Sequence, residues 1–300
     1  MEFWYRLFGV MWKITEKADE RTRSRQTLPP GITVVRGIPY GGDGDPYHLC
    51  NAYYPEENDG KLPVIIDVHG GGWMYGDRDS SVLYDSFLAS RGFLVFSMSY
   101  RLVPEVTARD QLCDVNSALC AIREKMKDLP CDPEKIMLTG DSAGGMLAIY
   151  TAALARSPFL RERFGLEDPG LSYSCVTLTS PVAYMNDRSL MGSYGRLMWR
   201  ERPFRKARKS YMNANELLPH AGELPPMLLI TSAGDVVART QTMKLYRDLR
   251  GNGRNAELLY YGKPEGARLP HVFAVQKPDS PMGRDCLDRI CAFFRAHIPE

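Results

Sequence analysis

The spacing of apolar positions changes twice along the chain. Trp4, Leu7, Phe8, Met11 and Ile14 recur at helical intervals, which predicts an amphipathic helix over about residues 2–18. A charged stretch from Lys13 to Arg25 follows, and Pro29-Pro30-Gly31 breaks it. Ile32–Ile38 and Tyr47–Tyr54 read as two strands. Gly41-Gly42-Asp43-Gly44-Asp45-Pro46 between them reads as a hairpin turn. Beyond residue 60 the pattern becomes one of short continuous apolar runs, at Pro63–Val68, Phe93–Met98, Lys135–Leu138, Cys175–Thr179, Met227–Thr231 and Glu257–Tyr261. Such runs suit strands buried on both faces. Helical patterns lie between most of them, clearest at Ser80–Ser90, Asp110–Lys127, Ala143–Arg156, Thr240–Gly251 and Arg284–Ala296. Strands alternating with helices imply right-handed crossovers and an α/β fold with a mostly parallel sheet. The interval 181–225 is too long for a normal crossover and is rich in Met, Arg and Tyr. It reads as a helical insertion over the sheet, against which the N-terminal helix can pack.

Composition narrows the class. The chain has 300 residues, 44% hydrophobic and 25% charged, with a formal net charge of +2. These values exclude a disordered chain, a collagen-like fibre and a disulfide-stapled miniprotein, and they give no global argument for binding nucleic acid. The seven cysteines form no CxxC pair and sit at no zinc-site spacing from histidine, so no metal is expected and a reducing compartment is. Cys286 and Cys291 read as helix-face packing. The apolar run Leu7–Trp12 falls short of a signal-peptide core, and nothing approaches the roughly 20 apolar residues of a membrane span. The expectation is a cytoplasmic protein with no stable membrane insertion. The basic cluster Arg196, Arg200, Arg202, Arg205, Lys206, Arg208 and Lys209, set against Glu201, reads as a solvated face of the insertion.

Chemistry concentrates in a few places. Lys135–Tyr150 reads KIMLTGDSAGGMLAIY, a strand, then Gly140-Asp141-Ser142-Ala143-Gly144, then a helix. G-x-S-x-G in this setting puts a serine on a tight turn with its hydroxyl above the sheet. The bland alternative is a glycine-rich turn with a serine cap. His69-Gly70-Gly71-Gly72-Trp73 follows the strand Pro63–Val68. Three successive glycines are costly to order but suit a loop whose N–H groups must face a ligand. Gly71 and Gly72, with Ala143, are the candidate oxyanion donors. A serine nucleophile needs a base, and the base an acid to orient it. His69 belongs to the glycine loop, and His48, His220 and His297 read as surface or packing residues. His271, in a loop after the last strand, is the candidate base. Asp235 falls at the carboxyl end of a parallel strand, where open α/β sheets place ligands. It is the first candidate acid, ahead of Asp248 and Glu265.

Ser142, Asp235 and His271 come in the order Ser…Asp…His, as in α/β-hydrolases. With HGGGW (69–73), SYRLVPE (99–105), GDSAGG (140–145), the AGD ending in Asp235 and the HVF starting at His271, the sequence resembles the hormone-sensitive-lipase-like family of α/β-hydrolase esterases. The resemblance covers roughly residues 60–275. It implies one α/β-hydrolase domain over 1–300 with a mostly parallel eight-stranded sheet flanked by helices. It also implies a helical cap from about 1–45 and 181–225. It implies hydrolysis of short- to medium-chain acyl esters through an acyl-enzyme, with a small-molecule ester as partner, no cofactor and no metal. Trp73 stands where the family more often has Phe, and is a candidate substrate contact. Val236-Val237 stands where Pro-Leu is common, and Val272 where Gly is usual. An amidase, formamidase or peptidase would use the same triad. A non-catalytic small-molecule receptor on this scaffold would usually have lost a triad member. An edge strand or the cap offers a surface for a homodimer.

Overall fold

The structure of the protein, a computed structural model, describes residues 2–185, 213–263 and 269–298, with side chains from residue 9 onward. The basic cluster 196–209, most of the expected insertion and Glu265 lie outside the described residues.

Eight strands form one sheet, and every predicted strand is present: β1 (Ile32–Pro39), β2 (Leu49–Pro55), β3 (Leu62–Val68), β4 (Leu94–Met98), β5 (Cys131–Asp141), β6 (Cys175–Thr179), β7 (Met227–Ser232) and β8 (Ala256–Tyr261). Their order is β1-β2-β4-β3-β5-β6-β7-β8. β2 is antiparallel to both β1 and β4, and all pairings from β4 through β8 are parallel. β5 starts four residues earlier than its apolar run suggests. Its polar first turns pair with Leu62 and Pro63 across a register shift at Pro63/Val64.

The helices among the described residues are α1 (Glu2–Arg23), α2 (Val82–Ala89), α3 (Ala108–Lys125), α4 (Ser142–Arg156), α5 (Pro158–Phe164), α6 (Ala214–Leu217), α7 (Arg239–Gly251), α8 (Phe273–Gln276) and α9 (Pro281–His297). α1 runs five residues past the expected end, because its charged second half continues on the helical period. α5 follows α4 after a single residue. Ser157 caps it through the Leu160 N–H, and Pro158 occupies its first turn, a serine–proline start signal legible in the sequence.

Strand residues alternate between two cores. Val64, Ile66, Val68, Leu94 and Phe96 join α3, α4 and α7 on one face. Ile65 and Val95 join α2 and α9 on the other, where Cys286 and Cys291 are buried as expected. All seven cysteines are free thiols. Among the described residues no helix is long and apolar enough to cross a membrane.

One close approach positions everything that follows. α4 begins immediately after β5 and presses its first turn onto the end of β3. A Cβ on Gly144 would run into the carbonyl oxygens of Val68 and His69. Backbone cannot retreat there without moving the glycine loop, so Gly144→Ala is expected to destabilise the fold by roughly 3 kcal/mol. Gly251→Ala, where nothing lies within 4 Å of the added atom, should be neutral or slightly stabilising. Urea unfolding of both variants checks this; equal midpoints would show that the contact does not constrain the fold.

Candidate active site

Ser142 is the first residue of α4 and has φ +50°. A non-glycine residue in the left-handed region costs about 1–3 kcal/mol, and here the tight strand-to-helix turn imposes it. The Ser142 Oγ lies 2.9 Å from the Nε2 of His271, and the Nδ1 of His271 lies 3.0 Å from the Oδ1 of Asp235. A carboxylate can only accept, so Nδ1 carries the proton and Nε2 is left to accept from the serine hydroxyl.

Asp235 sits just past the end of β7 with its side chain fully buried. Its Oδ1 also accepts from the N–H groups of Val237 (3.0 Å) and Ala238 (2.9 Å), and Oδ2 from the Thr231 hydroxyl (3.2 Å). Burial pushes its pKa up, but the His271 contact and charge, with the Ala238 N–H and the Ser180 hydroxyl, outweigh that and bring it down to about 2. Asp235 is therefore ionised at neutral pH. Asp248 is engaged elsewhere, accepting from Tyr184 Oη (2.5 Å) and Lys244 Nζ (2.6 Å) within α7.

The other histidines pack. His48, expected within the second strand, stands just before β2 with Nδ1 2.8 Å from Asp43 and Nε2 3.4 Å from Asp114. His220 lies against Phe159, and His297 against Phe293. His69 stacks on Tyr100 at 4.3 Å, and burial pushes its pKa down to about 4, so it stays neutral.

The glycine loop bends back sharply. Gly71 has φ +114° and Gly72 φ +56°, conformations that glycine adopts freely. Among the described residues no group accepts from the N–H of Gly71, Gly72 or Ala143, so three backbone donors remain free beside Ser142. Tyr100 donates its hydroxyl to the His69 carbonyl at 2.7 Å. Arg101 binds Asp114 of α3 through Nε (2.9 Å) and Nη2 (2.6 Å). Gln111 donates to the carbonyls of Trp73 (3.0 Å) and Arg101 (2.9 Å). These contacts explain the SYRL segment: it braces the loop from below.

Trp73 corrects the expectation of a substrate contact. It is 1% exposed and belongs to the main core. Its φ is +63°, and it is absent from the walls of the two cavities described next. One cavity, about 160 Å³, is bounded by Arg23, Gln26, Gly70, Gly71, Asp141 and Val272. A second, about 470 Å³, lies between α1 and residues 101–106, with Trp12, Met74 and Tyr75 in its wall.

Several residues of the site were not singled out in the sequence. Trp12 of α1 fills the space that a Cβ on Gly72 would occupy, and its ring stacks on Tyr75 at 5.2 Å. The Tyr75 hydroxyl donates to Asp19 at 3.0 Å. Asp141, next to the serine, accepts the Gly70 N–H at 2.7 Å and ties the glycine loop to the nucleophile turn. Its place in GDSAG was the available signal. Asp43, Asp45 and His48 are near enough together to share an ion, but they hold the hairpin turn by their own hydrogen bonds.

The sheet, the strained serine at a strand-to-helix turn and the histidine loop after the last strand define an α/β-hydrolase. The model of the prolyl oligopeptidase family matches residues 112–266, just over half of the sequence, and the chain belongs to that family. The BD-FAE model matches residues 50–172. Isoprenylcysteine alpha-carbonyl methylesterase ICME of Arabidopsis thaliana is 28% identical over 285 residues, covering 86% of this chain and 65% of the relative. The chain thus spans less than two thirds of that relative's length. Esterase B from Lactobacillus Rhamnosis, in a crystal structure with a tributyrin phosphonate, superposes with a TM-score of 0.93 at 28% identity, covering 99% of this chain and 96% of that one. An esterase of the bacterial hormone-sensitive lipase family shares the fold, with a TM-score of 0.71 at 21% identity over 95% of this chain and 91% of that one. The expected α/β-hydrolase fold, with its mostly parallel eight-stranded sheet, holds.

Asp141 carries a titration consequence. Burial, only partly offset by the Gly70 N–H and the charge of His271, raises its pKa to about 6. Asp67 and Asp85, buried behind it, are held well above the ordinary range by burial and by neighbouring carboxyls. A carboxyl whose folded pKa exceeds its unfolded one contributes stability below about pH 4 and loses it as pH rises through 6. Asp141→Asn keeps an acceptor for Gly70 and removes the titration. Its stability relative to the parent should rise by roughly 1–3 kcal/mol between pH 4 and 7. Urea melts at the two pH values test this; a constant difference would refute it.

Proposed function

We propose that the protein is a serine carboxylic ester hydrolase acting on short- to medium-chain acyl esters. Ser142 is the nucleophile, His271 the base and Asp235 the orienting acid, with Gly71, Gly72 and Ala143 as the oxyanion hole. The observation that carries this is the unbroken chain from Ser142 Oγ through His271 to Asp235, at 2.9 and 3.0 Å, beside three free N–H groups. Fold and kinship with esterases support the same chemistry.

The steps follow from the geometry. His271 Nε2 takes the serine proton as Oγ attacks the ester carbonyl, and the imidazolium is stabilised by ionised Asp235. The carbonyl oxygen becomes an oxyanion facing the N–H groups, each donor of this kind contributing about 2.7–4 kcal/mol. The C–O bond to the alcohol breaks, and the alcohol leaves with the proton from Nε2. Water then attacks the acyl-enzyme with His271 again as base, releasing the acid and restoring Ser142.

We place a cap from about 1–45 and 181–225 in the same domain; the packing of Trp12 on Gly72 supports its first half, and most of its second half lies outside the described residues. Free thiols support a cytoplasmic location. Amide hydrolysis is the second reading, favoured by membership of a peptidase-containing family, since it uses the same groups.

A p-nitrophenyl acyl series assayed beside matching anilides decides between them. Ester turnover that peaks at short chains is expected. It should vanish in Ser142→Ala and fall by roughly 10⁴ in Asp235→Asn, where the tautomer is wrong. Full activity in Ser142→Ala would sink the assignment, and faster anilide than ester turnover would favour the amidase.

A further inference from the structure

We infer that the outer face of α1 is a docking surface for an anionic lipid bilayer. α1 has two unlike faces. The inner face bears Trp12 on the glycine loop and Asp19 on Tyr75. On the outer face Val10 is 60% exposed, Met11 40% and Ile14 67%. Val10, Ile14, Lys17 and Arg21 are spaced i, i+4, i+7 and i+11, so they form one row along the helix. Lys13 flanks that row, and all three cations are exposed. Glu20 is the one exposed acid of the described α1 side chains. Apolar side chains grading into cations along one helix face match a helix lying in the headgroup region of an acidic membrane.

Charge and area argue against a second copy of the chain as occupant. A two-fold contact would set the Lys17 and Arg21 row against itself. Three apolar side chains also cover far less than the ~800 Å² per partner of a stable interface. Location adds to the case. A helix is about 10 Å across, so α1 lying in the bilayer plane brings the glycine loop beneath it within that distance of the lipid. Val236 and Val237, 85% and 54% exposed next to Asp235, stand at the same carboxyl end of the sheet. Esters dissolved in the lipid would reach the site without crossing bulk water.

The test is cosedimentation of the full chain with vesicles of phosphatidylcholine alone or with phosphatidylglycerol. Binding is expected only to the mixed vesicles and should weaken with salt. Lys17→Gln/Arg21→Gln should lower affinity about thirtyfold, at about one kcal/mol per cation. Val10→Asp/Ile14→Asp should abolish binding. Neither variant should change turnover of a water-soluble ester; circular dichroism reports folding should the hydrolytic reading fail. Absence of binding to mixed vesicles, binding that survives both double substitutions, or a dimer dispersed by Val10→Asp/Ile14→Asp would each overturn the inference.

Discussion

The site rests on a backbone contact without a side chain. Where α4 meets β3, Gly144 brings the nucleophile turn against the carbonyls of Val68 and His69. That one approach places Ser142 beside the glycine loop, although 71 residues separate Gly70 from Asp141, whose carboxylate accepts the Gly70 N–H. Ser142 and the glycine loop are therefore parts of one rigid corner. Tyr100, Gln111 and the Arg101–Asp114 pair hold that corner from the core side, and Trp12 and Tyr75 from the solvent side.

Two carboxylates near the reacting centre experience opposite surroundings. Asp235 is buried but accepts from two N–H groups, a hydroxyl and the His271 imidazole, so its charge is fully compensated. Asp141 accepts the Gly70 N–H but has other carboxyls behind it. Burial without enough donors leaves its charge costly. The contrast separates a group needed as an anion from one needed as a backbone anchor, and hydrogen-bond supply is the physical difference between them.

Strands and nucleophile elbow were legible because local pattern decides them. Continuous apolar runs marked every buried strand, and G-x-S-x-G marked the turn. Asp235 and His271 were legible from their places after β7 and β8. What escaped depended on contacts distant in sequence. Trp73 was expected at the substrate because it stands where the resembled family more often has Phe, yet it is buried in the core. Trp12 read only as the end of a short apolar run, and the bare Cα of Gly72, sixty positions later, gives it a place over the site. Asp141 was hidden by the serine next to it. α1 itself was foreseen, but the split of its apolar residues between a packed face and an open one is a property of the assembled fold.

The left-handed backbone at Ser142 also limits how this chain could change its chemistry over generations. A threonine there would bring a second branch at Cβ into a conformation that β-branched residues scarcely occupy, although serine and threonine are neighbours in the genetic code. Cysteine has serine's unbranched shape and meets no such barrier. Descendants of this scaffold can thus explore thiol chemistry at the elbow, while the threonine route is closed by sterics before any question of reactivity arises.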